Sequence, residues 1–328
     1  MSDNTPVIQT RHLTKIFKDF WGRPRVKAVD DISFDVVQGE VFGLLGPNGS
    51  GKSTTLKLAL GLLFPTQGNI TVFNQPAVST QIKNRIGFLP EESYLYRYLN
   101  AAETLSFYGK LFNLDARTCS TRTKQLLDMV GLGNVGRRPV REFSKGMMRR
   151  LGIAQALIND PDVIFLDEPT SGLDPIGTRQ VKDLIVELKS RGKTVFLCSH
   201  LLADVEDVCD RIAILYGGKI KAHGRVSELL EHNEAIQIRL EKPADKTVQG
   251  ITELLEQFDP ACPVKVERPK DRLEQFFLRV IQRAVEARDA TSGAQVATPQ
   301  PVEPVKQKEE DKQIKTDVIK KLLNASKE

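Results

Sequence analysis

The sequence predicts an α/β fold, on three observations. A nine-residue stretch, Gly46-Pro47-Asn48-Gly49-Ser50-Gly51-Lys52-Ser53-Thr54, sits between an apolar run and a helix-like one. Two further short apolar runs, Val163–Leu166 and Thr194–Cys198, stop abruptly at polar pairs, Asp167-Glu168 and Ser199-His200. Between such runs lie stretches with apolar residues at helical spacing. Short unbroken apolar runs read as strands buried in a sheet, and periodic stretches as the helices that cover it.

The glycine-rich stretch fits G-x-x-x-x-G-K-[ST] at every fixed position. Val41-Phe42-Gly43-Leu44-Leu45 before it reads as a buried strand, and Thr55-Leu56-Lys57-Leu58-Ala59-Leu60 after it as helix. The glycines let the backbone wrap a triphosphate with its N–H groups aimed inward, and the helix start adds the positive end of its dipole. Lys52 brings a point charge to the β- and γ-phosphates, and Ser53 a hydroxyl to Mg²⁺.

At 328 residues the chain has room for one large domain and something smaller. A 40% apolar and 27% charged composition is that of a soluble globular protein. No apolar run approaches the about 18 residues of a membrane span, and Met1–Pro6 lacks the features of a signal peptide. The chain is therefore expected neither to cross a membrane nor to be secreted. Cys119, Cys198, Cys209 and Cys262 form no C-x-x-C pair and read as reduced thiols. A net charge of +5 permits contact with an anionic surface without arguing for nucleic acid.

In chain order, Val7–Thr10 and Ile32–Val36 read as strands ahead of the loop. The polar turn between them, Phe17 to Arg25, carries Phe17, Phe20 and Trp21, any of which offers a flat ring for an adenine base. Ile70–Phe73 and Arg85–Leu89 are further strands, with Glu91 and Glu92 just past the second. A mostly helical stretch follows from about Asn100 to Val130. Ser144 suits the N-cap of a helix whose apolar face is Met148, Leu151, Ala154 and Ile158. Asp167 and Glu168 then close a buried strand, at the sheet edge where open α/β folds bind ligands. Ser171-Gly172-Leu173-Asp174-Pro175 forms a turn into a helix over 176–191, and His200 ends the next strand at the same edge. A hairpin at Ile212–Ala222 closes the large domain. Beyond about residue 235 the pattern is a small α+β unit with strands near 236–240 and 264–266 and helices at Val248–Phe258 and Leu273–Val285. A Pro/Gln/Thr-rich linker and an amphipathic helix bearing Ile314, Val318, Ile319, Leu322 and Leu323 end the chain.

Taken together, these residues resemble the ATP-binding subunits of ABC (ATP-binding cassette) transporters over roughly residues 7 to 230. The phosphate loop is similar to the Walker A motif, Phe143-Ser144-Lys145-Gly146-Met147 to a divergent LSGGQ signature, and VIFLDEP to Walker B. SGLD resembles the D-loop and His200 the switch histidine. FLPEE, FSKGM and SGLDP are similar to the branch serving ABC-2 type exporters, in which cassette and permease are separate chains. The implied fold is a P-loop NTPase core sheet with an N-terminal antiparallel β-subdomain and an inserted helical subdomain at about 92–157, followed by a small α+β C-terminal unit. The implied division is a cassette at 1–232, an accessory domain at 233–288, a disordered linker at 289–310 and a terminal helix at 311–328.

The resemblance implies ATP and Mg²⁺ as cofactors and transport-coupled ATP hydrolysis. It gives Glu168 as general base with His200 sensing the γ-phosphate, and Ser53, Asp167 and Glu91 on the metal. It places Phe17 on adenine and Gly46, Pro47, Asn48, Gly49, Ser50, Gly51, Lys52, Ser53 and Thr54 around the phosphates. Ser144, Gly146 and Asp174 would meet the nucleotide of a second copy, so the implied partners are a homodimer mate and an integral membrane permease, with no nucleic acid. The implied location is cytoplasmic, peripheral on the inner face of the cell membrane. Departures from the family pattern are Glu91 for the usual Gln, Lys145 and Met147 in the signature, and a longer aromatic turn. Two alternatives stand beside this reading: a cassette ATPase acting on ribosomes or nucleic acid, and a regulatory binder that holds ATP without turnover. The paired Asp167-Glu168 speaks against the second, and a tail with balanced charge against the first.

Overall fold

A computed structural model of the chain describes residues 6–21, 23–92, 94–230 and 245–258. The chain opens with a long hairpin of β1 (Pro6–Lys18) and β2 (Pro24–Val37). The sequence suggested much shorter strands and placed Phe17 in the turn. Bulges explain the difference: the register shifts between Thr10 and Leu13, and His12 and Asp31 adopt left-handed φ of 50° and 53°. Each bulge resets the inside–outside alternation, so one strand reads as two fragments. The true turn is tightened by Asp19, whose carboxylate accepts from the N–H groups of Trp21 and Arg23.

Next come β3 (Val41–Leu45), α1 (Lys52–Ala59), β4 (Gln67–Val72), the two-residue β5 (Gln75–Pro76), and β6 (Ile86–Leu89) after a 3₁₀ turn. The helical stretch expected at 100–130 is two helices, α2 (Ala101–Leu111) and α3 (Ala116–Met129). Asn113 turns the chain at φ 57° between them, and Asp115 caps α3 by accepting from the N–H groups of Arg117 and Thr118. Asn100 and Glu103 form a reciprocal capping box at the start of α2. Such caps contribute about 0.5–2 kcal/mol each.

The remaining elements are α4 (Lys145–Ala156), β7 (Val163–Asp167), α5 (Pro175–Ser190), β8 (Thr194–Ser199), α6 (Leu202–Val208), β9 (Arg211–Tyr216), β10 (Lys219–Arg225), α7 (Val226–Leu230) and α8 (Asp245–Phe258). Sequence reasoning passed over α6, which is only seven residues long. The α8 helix contains the predicted Val248–Phe258 stretch. The strands expected near 236–240 and 264–266, the 273–285 helix, the linker and the terminal helix lie outside the described residues.

Two sheets result. One is antiparallel in the order β2-β1-β4-β5; the other has the order β10-β9-β3-β8-β7-β6 and is parallel apart from its β9–β10 hairpin. Strand parity divides the core in two. Phe42, Leu44, Phe165, Phe196 and Cys198 face the antiparallel sheet and α1, where Phe34, Phe42 and Phe196 stack at centroid distances of 5.3–6.1 Å. Val41, Leu45, Ile164, Leu166, Val195 and Leu197 face the other way, onto α4 and α5. A strand buried on both sides must be apolar throughout, which is why these segments read as unbroken runs. No helix among the described residues is long and apolar enough to cross a membrane.

Candidate functional site

The loop after β3 closes around its own backbone. Lys52 Nζ donates to the carbonyls of Gly46 at 2.7 Å and Pro47 at 3.3 Å. Two glycines are obligatory. A Cβ on Gly46 would run into the Leu215 carbonyl and lie 2.6 Å from Ser50 Oγ. Gly51 sits at φ 110° with the Ala28 carbonyl of β2 where its Cβ would be. Gly49, at φ 79°, has nothing within 4 Å of that position, so its requirement is conformational. Ser50 Oγ is buried with no hydrogen-bond partner among the described residues, an orphaned polar atom inside the loop that suits an anionic ligand. Thr54 follows Ser53 in the first turn of α1, and Asn48 is exposed at the loop tip.

The parallel strands bring distant residues to this loop. Ser53 Oγ lies 3.5 Å from Asp167 Oδ1, across 114 residues of sequence. Glu168 sits one residue past β7 with its carboxylate between two bases: Lys52 Nζ is 3.5 Å from Oε1, and His200 Nδ1 is 2.8 Å from Oε2. Its backbone takes a left-handed φ of 48°, a costly conformation for a residue with a side chain. That backbone is fixed by the Glu168 N–H donating to the Cys198 carbonyl at 2.9 Å. His200 is 38% exposed, whereas Glu168 is buried, so the pair joins solvent to the interior.

Burial raises the pKa of Asp167, the Ser53 hydroxyl opposes this, and the charges of Glu91 and Glu168 raise it further. An under-compensated carboxylate beside a hydroxyl is the donor set a hard divalent cation takes. No group of three or more His, Cys, Asp or Glu side chains able to hold a metal occurs among the described residues. Ser53 and Asp167 are the side chains here that would hold a Mg²⁺, few enough for an ion that is ordinarily bound by one or two protein groups together with a substrate phosphate. Glu91 is exposed just beyond β6, near enough to act on Asp167 through its charge.

Phe17 lies on β1, 39% exposed, with Lys15 Nζ 5.4 Å from its ring centroid. It pairs with Val26, two residues from the Ala28 carbonyl that abuts the loop. Phe20 and Trp21 are 95% and 75% exposed at the hairpin tip and pack edge to face on each other.

A second cluster stands apart. Ser144 caps α4 by accepting from the Met147 N–H at 3.2 Å, and Asp174 caps α5 by accepting from the Gly177 N–H at 2.7 Å. A Cβ on Gly146 would lie 3.9 Å from Leu173, and the Lys145 ammonium rests against Gly172, so the two caps are neighbours. Among the described residues, no hydrogen bond or ion pair joins the Ser144 or Asp174 side chains to Lys52, Ser53, Asp167 or Glu168.

Sequence reasoning missed Arg149 and Arg150. Arg150 is buried and donates to the Val130 carbonyl at the end of α3, while Arg149 reaches the carbonyls around Asp167 and Glu168. The available signal was two adjacent arginines on a helix whose neighbours at i+3 and i+4 are Gly152, Ile153 and Ala154.

A family profile described as ABC transporter matches residues 29–171. An uncharacterized ABC transporter ATP-binding protein of Nostoc sp. is 47% identical over 231 residues, covering 69% of this chain and 69% of the relative. A fluoroquinolones export ATP-binding protein of Mycobacterium tuberculosis is 42% identical, covering 74% and 78%. A Nod factor export ATP-binding protein of Ralstonia nicotianae is 37% identical, covering 70% of each chain. Among solved structures, a dimeric ATP-binding cassette in a post-hydrolysis state bound to ADP and Pi superposes with a TM-score of 0.61 at 26% identity, over 67% of this chain and 98% of that one. With a nucleotide loop built from Gly46 to Thr54, two carboxylates behind it and relatives this similar over two thirds of their length, the chain belongs to the ABC transporter ATP-binding proteins.

Proposed function

We propose that the chain hydrolyses ATP as a subunit that dimerises around two nucleotides and energises a separate membrane permease, in the direction of export. One observation carries this reading: Lys52 and Ser53 of α1, Asp167 and Glu168 at the end of β7, and His200 just past β8 meet through contacts of 2.8–3.5 Å. In the reaction, Lys52 and the loop N–H groups hold the β- and γ-phosphates. Ser53 and Asp167, with Glu91 alongside, would hold Mg²⁺, which would supply charge neutralisation to the phosphates. Glu168 accepts a proton from the attacking water, a contribution of about 10²–10⁴ in rate. The contact between His200 Nδ1 and Glu168 Oε2 orients that carboxylate and gives the γ-phosphate a neighbour on the solvent side. Phe17 stacks on adenine.

The second cluster supports dimerisation. The start of α4 leaves the N–H groups of Lys145 and Gly146 without an intrachain partner among the described residues, and it is not bonded to this chain's own phosphate loop. Such a helix start favours a phosphate. Ser144, Gly146 and Asp174 therefore serve the nucleotide of a second copy, head to tail, and closure follows if ATP binds the closed pair more tightly than the open one. Similarity to a dimeric cassette and to two subunits named for export supports the same picture. The subunit then sits at the cytoplasmic face of the membrane, held there by its permease.

The test is Mg²⁺-dependent ATP hydrolysis by the purified chain beside its Glu168→Gln variant, with mass measured by light scattering. We expect the variant to bind ATP, lose at least about 100-fold in turnover and accumulate as an ATP-bound dimer. Undiminished hydrolysis in the variant would remove Glu168 from its role. Residues from about 235 to 288 are proposed to help dimerise or regulate, and residues 311–328 to dock a partner. Deletion of 291–328 with no change in membrane recovery would count against docking.

A further inference from the structure

Arg149 is buried, 6% exposed, and none of its hydrogen bonds goes to a carboxylate. Its Nε donates to the Pro169 carbonyl at 3.1 Å. One terminal nitrogen donates to the carbonyls of Pro90 and Glu91, the latter at 2.9 Å. The other donates to those of Asp167 and Glu168, the latter at 2.7 Å. One planar cation on α4 thus spans the C-terminal ends of two neighbouring parallel strands, β6 and β7. Burial pulls its pKa down to about 10, opposed by the charges of Asp167, Glu91 and Glu168, so it remains charged at neutral pH. Burying a guanidinium is costly, and a neutral apolar side chain would pack against α4's neighbours without that cost.

The use of the arrangement lies in what its acceptors carry. Asp167 and Glu168 hold the two carboxylates, and Glu91 the third acidic group near them. The Glu168 carbonyl belongs to the residue with the left-handed backbone, which aims its carboxylate at Lys52 and His200. A conformation that costs of order 1–3 kcal/mol persists only when its surroundings over-determine it. Two bonds from one guanidinium, on the Asp167 and Glu168 carbonyls, do so from one side, and the Cys198 carbonyl does so from the other. The same side chain ties this edge to α4, whose N-terminus is the second cluster.

We propose that Arg149 is a positioning residue for hydrolysis: its guanidinium fixes the backbone of Glu91, Asp167 and Glu168 relative to α4, so that the general base is aligned only while α4 is in place. This rests on Glu168 acting as the base. Phosphate-loop contacts are untouched by Arg149, so its loss separates turnover from binding.

The experiment compares wild type, Arg149→Gln, Arg149→Lys and Glu168→Gln as full chains, with kcat and KM from steady-state ATPase, Kd from a fluorescent ATP analogue, and thermal melting. We expect R149Q to lower kcat by about 100-fold, the scale for misplacing a catalytic group, while Kd moves less than about threefold. R149K keeps the charge but cannot bond five carbonyls from a planar fork, so kcat should stay at least about tenfold down. A folded R149Q or R149K with kcat within twofold of wild type overturns the proposal, as does a loss confined to Kd. If R149Q melts far below wild type, R149K decides the matter. An inactive E168Q beside a normal Arg149 series defeats this inference alone; a fully active E168Q defeats the reading beneath it.

Discussion

Burial raises the Asp167 pKa, and the charges of Glu91 and Glu168 add to the effect. A carboxylate whose folded-state pKa lies above its unfolded one binds protons more tightly in the native state. Stability is therefore lost as pH rises from the unfolded-state pKa through the raised native one. Asp167→Asn removes the charge and keeps the shape. The nucleotide-free variant should melt at or above the wild-type temperature at pH 7, and the gap should close as pH falls through the Asp167 pKa. The same variant should lose Mg²⁺-dependent turnover by more than the about 10–100-fold that losing a ligand's own hydrogen-bond partner costs. Melting curves from about pH 4, the ordinary carboxylate range, up to about pH 7.5 check the first, and ATPase rates with and without Mg²⁺ check the second. A D167N protein less stable than wild type at pH 7 would mean that the carboxylate is structural. The placement of these side chains at one sheet edge was legible in the sequence wherever a polar residue ended an apolar run, as at Asp167, Glu168 and His200. Arg149 was not, because its partners are backbone carbonyls, which leave no signature in residue types.

At the scale of elements, the phosphate loop depends on the hairpin behind it as much as on its own glycines. Gly51→Ala would force a Cβ against the Ala28 carbonyl of β2 and hold φ near 110°, whereas Gly49→Ala meets open space and only the conformational penalty. The second should cost about 1–2 kcal/mol. The first should cost more and weaken ATP binding at least about tenfold, because either the loop or β2 must move. Denaturant titration and nucleotide binding on the two variants give the comparison, and equal effects would refute the role assigned to β2. The loop itself was legible because its pattern is local. The hairpin was legible only in pieces, since the bulges at His12 and Asp31 interrupt strand alternation. The break between α2 and α3 was missed for a related reason: Asn113 and Asp115 punctuate the chain without altering the helical spacing on either side.

At the scale of the whole molecule, each chain carries two unlike clusters, one around Lys52, Asp167 and Glu168 and one at the caps of α4 and α5, and the proposed function makes each of them half of a nucleotide site. Head-to-tail closure would place one of each around every nucleotide, and that arrangement has a consequence in mixtures. Lys52→Ala disables the first half-site and Ser144→Arg the second, so either variant alone forms dimers with no intact pair. In a mixed dimer, one composite site collects both lesions and the other receives an intact half from each chain. Equal mixing makes half of all dimers mixed, with one working site of two, so turnover should recover to about a quarter of wild type if the sites act independently. Steady-state hydrolysis of the two variants, separately and after mixing at concentrations above that needed for dimerisation, measures this. Recovery requires that Ser144 serve the other chain's nucleotide. Were Ser144 to act on the nucleotide of its own chain, each mixed dimer would hold two singly damaged sites, and the mixture would be as inactive as its components.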